Sequence, residues 1–413
     1  MPAVTISAVT TADARFRLKP GEGADAVHTD PHYAYAVALL HTDDGAFTGT
    51  GLAFTLAGGN DLVCRAIQML AEPLVGREIE ALMAEWGTVF RRIADHPQLR
   101  WLGPHKGVVH LALAAITNAC FDLWAKARGV PLWRLLLDLS PEQIAALLDL
   151  SYLEDVLSSG DAVALMYAAQ SGRDARSAVL EQGYPGYDTS VGWFQYSDEQ
   201  IRDNVRRAVA GGFRAMKLKV GARDAQHDIR RAYLVREAAG PDARIMLDAN
   251  QQWSLPVALR TCLALADMQP FWIEEPTHPD DVLAHQTLAR AIAPIAVAAG
   301  EHIPHRVLFK NFMQAGAARI IQVDCTRVGG VSECLAISLL ARKLGLPIVP
   351  HVGDMGQIHQ HLVLWKHIAL GHEIVFLEYI PHLREHFVHP ADVTRGVYRT
   401  PQEPGASSDL KGI

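Results

Sequence analysis

The 413-residue chain is poor in cysteine, short of positive charge, and free of any long uninterrupted apolar run. Its five cysteines (Cys64, Cys120, Cys262, Cys325, Cys334) are odd in number and form no CxxC pair. That excludes a disulfide framework and fits reduced core residues of a cytoplasmic protein. Lys+Arg number 38 against 45 Asp+Glu, a formal charge of −7. The basic surface that a nucleic-acid partner draws on is therefore missing. The most apolar stretch, residues 108–127, is interrupted by His110, Asn118, Asp122 and Lys126, and so reads as a buried core helix and not a membrane span. No basic segment followed by an apolar one stands at the start, so no export signal is expected. No GxGxxG follows any strand-like run, which argues against a doubly wound dinucleotide-binding sheet.

What is present changes character along the chain. Up to about residue 60, apolar and polar residues alternate in Val4-Thr-Ile-Ser-Ala-Val, Tyr35-Ala-Val-Ala-Leu-Leu and Thr48-Gly-Thr-Gly-Leu-Ala-Phe, which predicts antiparallel strands. The polar, Gly/Pro-containing segment 19–31 between the first two reads as a loop. Helical spacing follows to residue 136, so residues 1–135 read as an α+β domain. Residues 136–185 read as an insertion or linker. From 186 to 380, short Val/Ile-rich runs alternate with amphipathic helical patterns, which predicts βα units, a parallel sheet and, from their number, a barrel. Residues 381–413 form a C-terminal segment expected to return towards the first domain. Trp101 and Trp133 read as packing between these parts.

The predicted barrel strands end in ionisable residues: Lys219, Asp248, Glu274, Glu301, Asp324, His351 and Glu378, at intervals of 29, 26, 27, 23, 27 and 27. Each interval is close to one βα unit, and the carboxyl ends of barrel strands share one mouth. A polar residue often opens the loop after a strand, so one or two would carry no information; seven in succession predict a shared cavity. Asp248, Glu274 and Glu301 are consecutive carboxylates whose mutual repulsion needs a cation, and an all-oxygen donor set favours Mg2+. Lys217 and Lys219 lie two apart on a strand and so face the same way. Lys219 precedes the three carboxylates in strand order and His351 follows them, so the two are expected to oppose one another across a metal. Asp324 is placed to accept the second ring N–H of His351. Lys217 and a bound cation would lower the pKa of Lys219. The chemistry such a layout serves is proton abstraction next to a carboxylate.

The segments Met216-Lys-Leu-Lys-Val-Gly, Leu247-Asp-Ala-Asn-Gln, Trp272-Ile-Glu-Glu-Pro-Thr, Ala299-Gly-Glu-His, Gln322-Val-Asp and Pro350-His together resemble the enolase superfamily, mandelate racemase subgroup, whose use of a Lys or His base with magnesium is a known pattern. Leu99-Arg-Trp-Leu-Gly-Pro, Gly192-Trp-Phe-Gln-Tyr-Ser, Arg327-Val-Gly-Gly-Val and Glu378-Tyr-Ile-Pro-His-Leu-Arg are similar to the L-fuconate dehydratases within it. The resemblance implies an α/β fold: a modified (β/α)7β TIM-like barrel with an α+β N-terminal capping domain. It implies Mg2+ on Asp248, Glu274 and Glu301, acid/base work by Lys219 and His351 with Asp324 in support, and substrate contacts from Asp25, Tyr33, Lys217, Asn250 and Glu378. The implied reaction dehydrates a small-molecule acid sugar to a 2-keto-3-deoxy acid, with Lys219 favoured as base. The implied state is a homo-oligomer without nucleic-acid or membrane partners. Asp354, in His351-Val-Gly-Asp-Met, departs from the Gly-rich run of those dehydratases and is expected to add a charge near the mouth. A dehydratase for another aldonate or aldarate, a racemase on the same site, and a non-catalytic sensor are the alternatives. Zinc on His359/His361 or on His382/His386/His389 is a further one.

Overall fold

The computed structural model describes residues 3–43 and 45–413. Strands β1 (Ile6–Arg17), β2 (His32–Thr42) and β3 (Thr48–Thr55) form an antiparallel sheet in that order. Helices α1 (Asn60–Ala71), α2 (Ile79–Ala84), α3 (Trp86–Ala94) and α4 (Gly107–Ala127) pack with it. The Gly alternation of β3 has a steric cause: a Cβ on Gly51 would stand 1.9 Å from the Ala115 carbonyl oxygen of α4. Helix α4 is long and apolar enough to cross a membrane by composition, yet 89% of its most apolar window is buried inside the protein. The polar residues that interrupt it are its tertiary anchors. Asn118 Nδ2 donates to the carbonyls of Leu52 and Cys325, both at 3.1 Å, and His110 lies 2.6 Å from Glu333. The bonds to Cys325 and Glu333 fasten the first domain to the second.

Residues 136–185 hold short helices, Pro141–Ala146, Ser159–Ala168, Arg173–Arg176 and Val179–Gln182. The first two start in capping boxes at Ser140/Gln143 and Ser158/Asp161, which satisfy orphan amides at a helix start. The barrel then opens with β4 (Tyr184–Gly192), a strand absent from the seven read off the sequence. It continues through β5 (Ala215–Lys219), β6 (Arg244–Asp248), β7 (Trp272–Glu274), β8 (Ala296–Ala299) and β9 (Ile320–Ile321), each pairing in parallel with the one before. The predicted strand at 346–351 is reduced to a bridge between Ile348 and Ile321, because Pro347 and Pro350 cannot donate to a ladder. Strand β10 (Leu377–Tyr379) pairs in parallel with β4 and returns the sheet to its start. An α-helix follows each of the first seven strand positions and, among the described residues, only a short 3-10 turn at Arg384–His386 follows β10 before β11, which is the (β/α)7β order.

Inward-facing Tyr187, Ala215, Met246, Trp272, Ala298, Ile320 and Val349 form one apolar cluster inside the barrel. The two-residue strand period carries Lys217, Asp248 and Glu274 to the next layer up on the same face. At the end of β8, Gly300 passes against the next strand, where a Cβ would meet the Gln322 backbone at 2.3 Å. The C-terminal segment adds β11 (Val393–Thr394) and β12 (Val397–Tyr398), the latter antiparallel to β4. It then bonds to the first domain through Gly405 N to Val130 O (3.0 Å) and Ala406 N to Asp122 (2.7 Å). Trp133 is buried there, its Nε1 donating to Pro401 O at 2.8 Å. Trp101, expected to pack likewise, is 100% exposed.

Candidate active site

Lys219, Asp248 and Glu274 are the last residues of β5, β6 and β7, and the register pairs Lys219 with Asp248 and Asp248 with Glu274. Adjacent parallel strands thus deliver a cation and two anions side by side. Glu301 sits two residues beyond β8, Asp324 three beyond β9, His351 follows the Ile348 bridge, and Glu378 lies within β10. All are buried except His351, which is partly so.

A closed set of ion pairs results. Lys217, 0% exposed, places Nζ 2.7 Å from Glu274, 2.7 Å from Glu378 and 3.5 Å from Asp248. Lys219 Nζ donates to Asp248 at 2.6 Å. His351 bridges two carboxylates: Nε2 is 2.7 Å from Glu301 and Nδ1 is 2.7 Å from Asp324. Asp324 also holds His359 Nε2 at 3.0 Å and accepts from Thr326 Oγ1 at 2.7 Å. The expected Asp324–His351 pair is therefore present, and His359 proves to be its second partner. Burial works most strongly against the charge on Lys219, but the carboxylates of Asp248, Glu301 and Asp25 together outweigh it and hold the ammonium above its ordinary pKa. Lys217 lowers Lys219, as expected from the sequence, yet by less than Asp248 raises it. Burial likewise opposes the imidazolium of His351, while Glu301 and Asp324 override it and raise the pKa well above the usual histidine range. Glu274 is raised, chiefly by burial with Asp248 adding to it. Against burial, His351 and His302 hold Glu301 well below the carboxylate range.

Lys219, Glu301, His351, Asn250, Glu378, Asp25 and Tyr33 line one cavity of about 70 Å3. Asp248 and Glu274 stand behind this wall, joined to it through the ion pairs above, and Lys217 lies beneath it among carboxylates. Asp25 accepts from the amides of Val27 (2.7 Å) and His28 (2.6 Å), and His28 Nδ1 is 3.0 Å away. That turn folds the 19–31 loop over the mouth. Phe194 N to Ala24 O (2.9 Å) and Gln195 Nε2 to Thr29 O (2.7 Å) fasten the loop to the barrel. The wall also contains Trp193, Gln251, His302, Arg327 and Phe54, none of them a site residue expected from spacing or resemblance. Asp354 corrects an expectation. It lies off this wall, bonded to Tyr35 Oη of β2 and to the Gly356 amide, and burial raises its pKa to about 6. The histidine alternatives find no support among the described residues: His382 stacks on Trp193, the partly buried His386 packs on Phe16, and His361 Nδ1 accepts from the Trp133 amide at 3.1 Å.

The donors present suit a hard dication. Asp248, Glu274 and Glu301 are buried carboxylates, and Asn250 adds a buried Oδ1 that has no hydrogen-bond partner among the described residues. Oxygen donors of this kind match Mg2+. Glu275, at φ 40°, turns to bond His302 (2.9 Å) and Gln251. Its carboxylate, Glu301 and His302 form a set whose donor atoms all lie within 4.8 Å of one another. Asp248 and Glu274, by contrast, are held by lysines.

Comparison with known proteins bears on this arrangement. Residues 6–136 match the family described as mandelate racemase / muconate lactonizing enzyme, N-terminal domain, and residues 200–412 match the enolase C-terminal domain-like family. Human mitochondrial enolase superfamily member 1 is 40% identical over 415 residues, covering 98% of this chain and 94% of that protein. Its crystal structure superposes with a TM-score of 0.95, at 39% identity, over 99% of this chain and 95% of that one. L-Galactonate dehydratase of Hypocrea jecorina is 40% identical over 420 residues, 100% of this chain and 93% of that protein. A racemase from Streptomyces coelicolor A3(2), solved with bound magnesium, gives a TM-score of 0.77 at 25% identity over 98% of this chain and 97% of that one.

Proposed function

Because the chain belongs to the enolase superfamily, mandelate racemase subgroup, we propose that it is a magnesium-dependent acid-sugar dehydratase acting on six-carbon acids of L-galacto configuration, L-fuconate (6-deoxy-L-galactonate) first among them. The observation that carries this reading is the joint placement of Lys219 and His351 on one cavity wall, each bonded to a different carboxylate of the Asp248/Glu274/Glu301 set. Relatedness to an L-galactonate dehydratase supports the substrate class, and the fuconate-like segments support the 6-deoxy acid.

Asp248, Glu274 and Glu301 would hold Mg2+, which when bound stabilises the negative charge that develops on the substrate carboxylate. The chain's own groups do the rest. Lys219 Nζ takes the proton from C2. Asp248 is the foremost of the carboxylates that hold it as an ammonium, and Lys219 would be free to act as base with Asp248 given over to the metal. His351 keeps Asp324 on Nδ1, which favours the imidazolium, and donates its Nε2 proton to the C3 hydroxyl. The C3–O bond breaks and water leaves; the enol then ketonises to the 2-keto-3-deoxy acid. The 19–31 loop covers the mouth and excludes water.

The test is a panel of acid sugars incubated with protein and Mg2+, with 2-keto acid measured as semicarbazone absorbance. L-Fuconate and L-galactonate should give product. If no acid sugar does and C2 exchanges deuterium, the protein is a racemase; with neither product nor exchange, the catalytic reading is wrong.

A further inference from the structure

The cavity that holds Lys219 and His351 is lined by charged side chains that are, with one exception, already paired. Asp25 has His28 at 3.0 Å, Lys219 has Asp248 at 2.6 Å, Glu301 has His351 at 2.7 Å, His302 has Glu275 at 2.9 Å and Glu378 has Lys217 at 2.7 Å. Arg327 is the exception. It lines the same cavity, is partly buried, and among the described residues its guanidinium has neither a carboxylate within 4.0 Å nor a protein hydrogen-bond acceptor. Five donors in a rigid fork are therefore left without a protein partner at the cavity wall.

The backbone explains how it comes to be there. Arg327 N donates to Asp324 O at 3.1 Å in the turn after β9, and the preceding Thr326 O accepts from Phe54 N of β3 at 3.2 Å. The turn is thereby pinned between the barrel strand that carries Asp324 and the first-domain sheet. The Phe54–Thr326 bond sets Arg327 beside Phe54 and Leu56 of the first domain on the cavity wall, whereas Lys217, Asp248 and Glu274 lie behind that wall on the barrel side. A substrate whose carboxylate end goes to the barrel side extends its far carbons towards Arg327.

We propose that Arg327 is a specificity-determining residue that donates to the C4 and C5 hydroxyls of the bound sugar acid, so that the site selects polyhydroxy acids longer than four carbons. The fork of a guanidinium spans two adjacent oxygens, as a vicinal diol presents them. L-Fuconate and L-galactonate share this diol, so Arg327 reads chain length and hydroxylation, not the C6 substituent. The inference rests on the acid-sugar reading of the site, and the experiment separates the two.

Equilibrium binding is measured by calorimetry with Mg2+ in a Lys219→Ala background, which cannot take the C2 proton. The probes are L-fuconate and D-threonate, the four-carbon acid with the same configuration at C2 and C3. Arg327→Leu should weaken L-fuconate tenfold or more and D-threonate, which keeps the C4 hydroxyl but has no C5 hydroxyl, by only a few-fold, with Arg327→Lys in between because it keeps the charge and loses the fork. In the otherwise native enzyme the same loss should appear in KM with kcat held within a few-fold. Unchanged L-fuconate binding overturns the proposal, as does equal weakening of both acids, or no binding of either. Arg327-dependent binding of L-fuconate by a protein that makes no 2-keto acid would support the proposal while sinking the dehydratase reading.

Discussion

Replacing Lys366 by methionine should stabilise the protein, and more so at pH 7 than at pH 9. Lys366 lies on the helix Ile358–Leu370 and is 2% exposed. Its only hydrogen-bond partner among the described residues is Tyr184 Oη at 3.3 Å. The charged groups that interact with it or its neighbours are Arg176, Arg342, His367 and His372, with no carboxylate within 4.0 Å among the described residues. Burial without a counter-charge pulls the ammonium down from 10.5 to about 7. Between those pH values the unfolded chain binds a proton that the folded chain does not, so stability rises with pH by about 1.4 kcal/mol per unit. Across the window of roughly 3.5 units the charge costs about 5 kcal/mol at or below pH 7. At pH 9 about 2 kcal/mol of that cost is left. Methionine keeps the unbranched stem and removes the charge, at a packing cost of about 1 kcal/mol. Lys366→Met should therefore gain about 3–4 kcal/mol at pH 7, and about 3 kcal/mol less at pH 9. Guanidinium unfolding followed by tryptophan fluorescence, at fixed Mg2+, reads both values. A gain equal at the two pH values, or a loss at pH 7, would refute the reasoning.

Three further outcomes follow from the site and its supports. Asp324→Asn removes the carboxylate shared by His351 Nδ1 and His359 Nε2, so the 2-keto acid assay should show kcat down roughly 10–100-fold or more with KM little changed. In Asp248→Asn, the rise in thermal midpoint that saturating Mg2+ gives the native protein, equivalent to about 2.7 kcal/mol at one hundred times Kd, should fall sharply. Tyr35→Phe strips Asp354 of its hydroxyl donor and should cost about 1–3 kcal/mol. Burial raises the folded Asp354 carboxyl to about 6 from 3.8, so the folded state retains a proton the unfolded chain has lost and stability falls as pH rises through that window. The variant's deficit in urea unfolding should accordingly be larger at pH 8 than at pH 5.

The barrel half of the site was legible because it is periodic and local. A strand end every 23 to 29 residues becomes, through parallel register, a neighbour in space, as Lys219–Asp248–Glu274 shows. The first barrel strand escaped because Tyr184-Pro-Gly-Tyr-Asp begins with turn-forming residues, and only pairing on both sides, to β5 and β10, makes it a strand. The predicted strand at 346–351 failed for the opposite reason: its apolar residues are right and its two prolines remove the ladder donors. Asp354 was misplaced because a charge three residues after His351 reads as belonging to the mouth, whereas its partner, Tyr35, is 319 residues away. No spacing rule reaches that far.

That distance separates two kinds of work within the site. Every residue proposed to move a proton or hold a metal comes from barrel strand ends, where neighbours are set by the sheet itself. The groups that close the mouth and face the substrate's far end depend on contacts between the two domains: Phe194 N to Ala24 O, Phe54 N to Thr326 O and Gln195 to Thr29 O. A loop held by a few such bonds can change its side chains at small cost to stability, while a change at Asp248 or Glu274 alters the balance of a buried charge network. Substrate choice is therefore expected to vary through residues 23–33, 54–56 and 327 while the strand-end chemistry stays fixed. Exchanging residues 19–31 with the equivalent loop of a relative should change KM across an acid-sugar panel and leave Mg2+ affinity unaltered. A loop exchange that weakened Mg2+ binding as much as it shifted KM would show that the two parts of the site are not separable in this way.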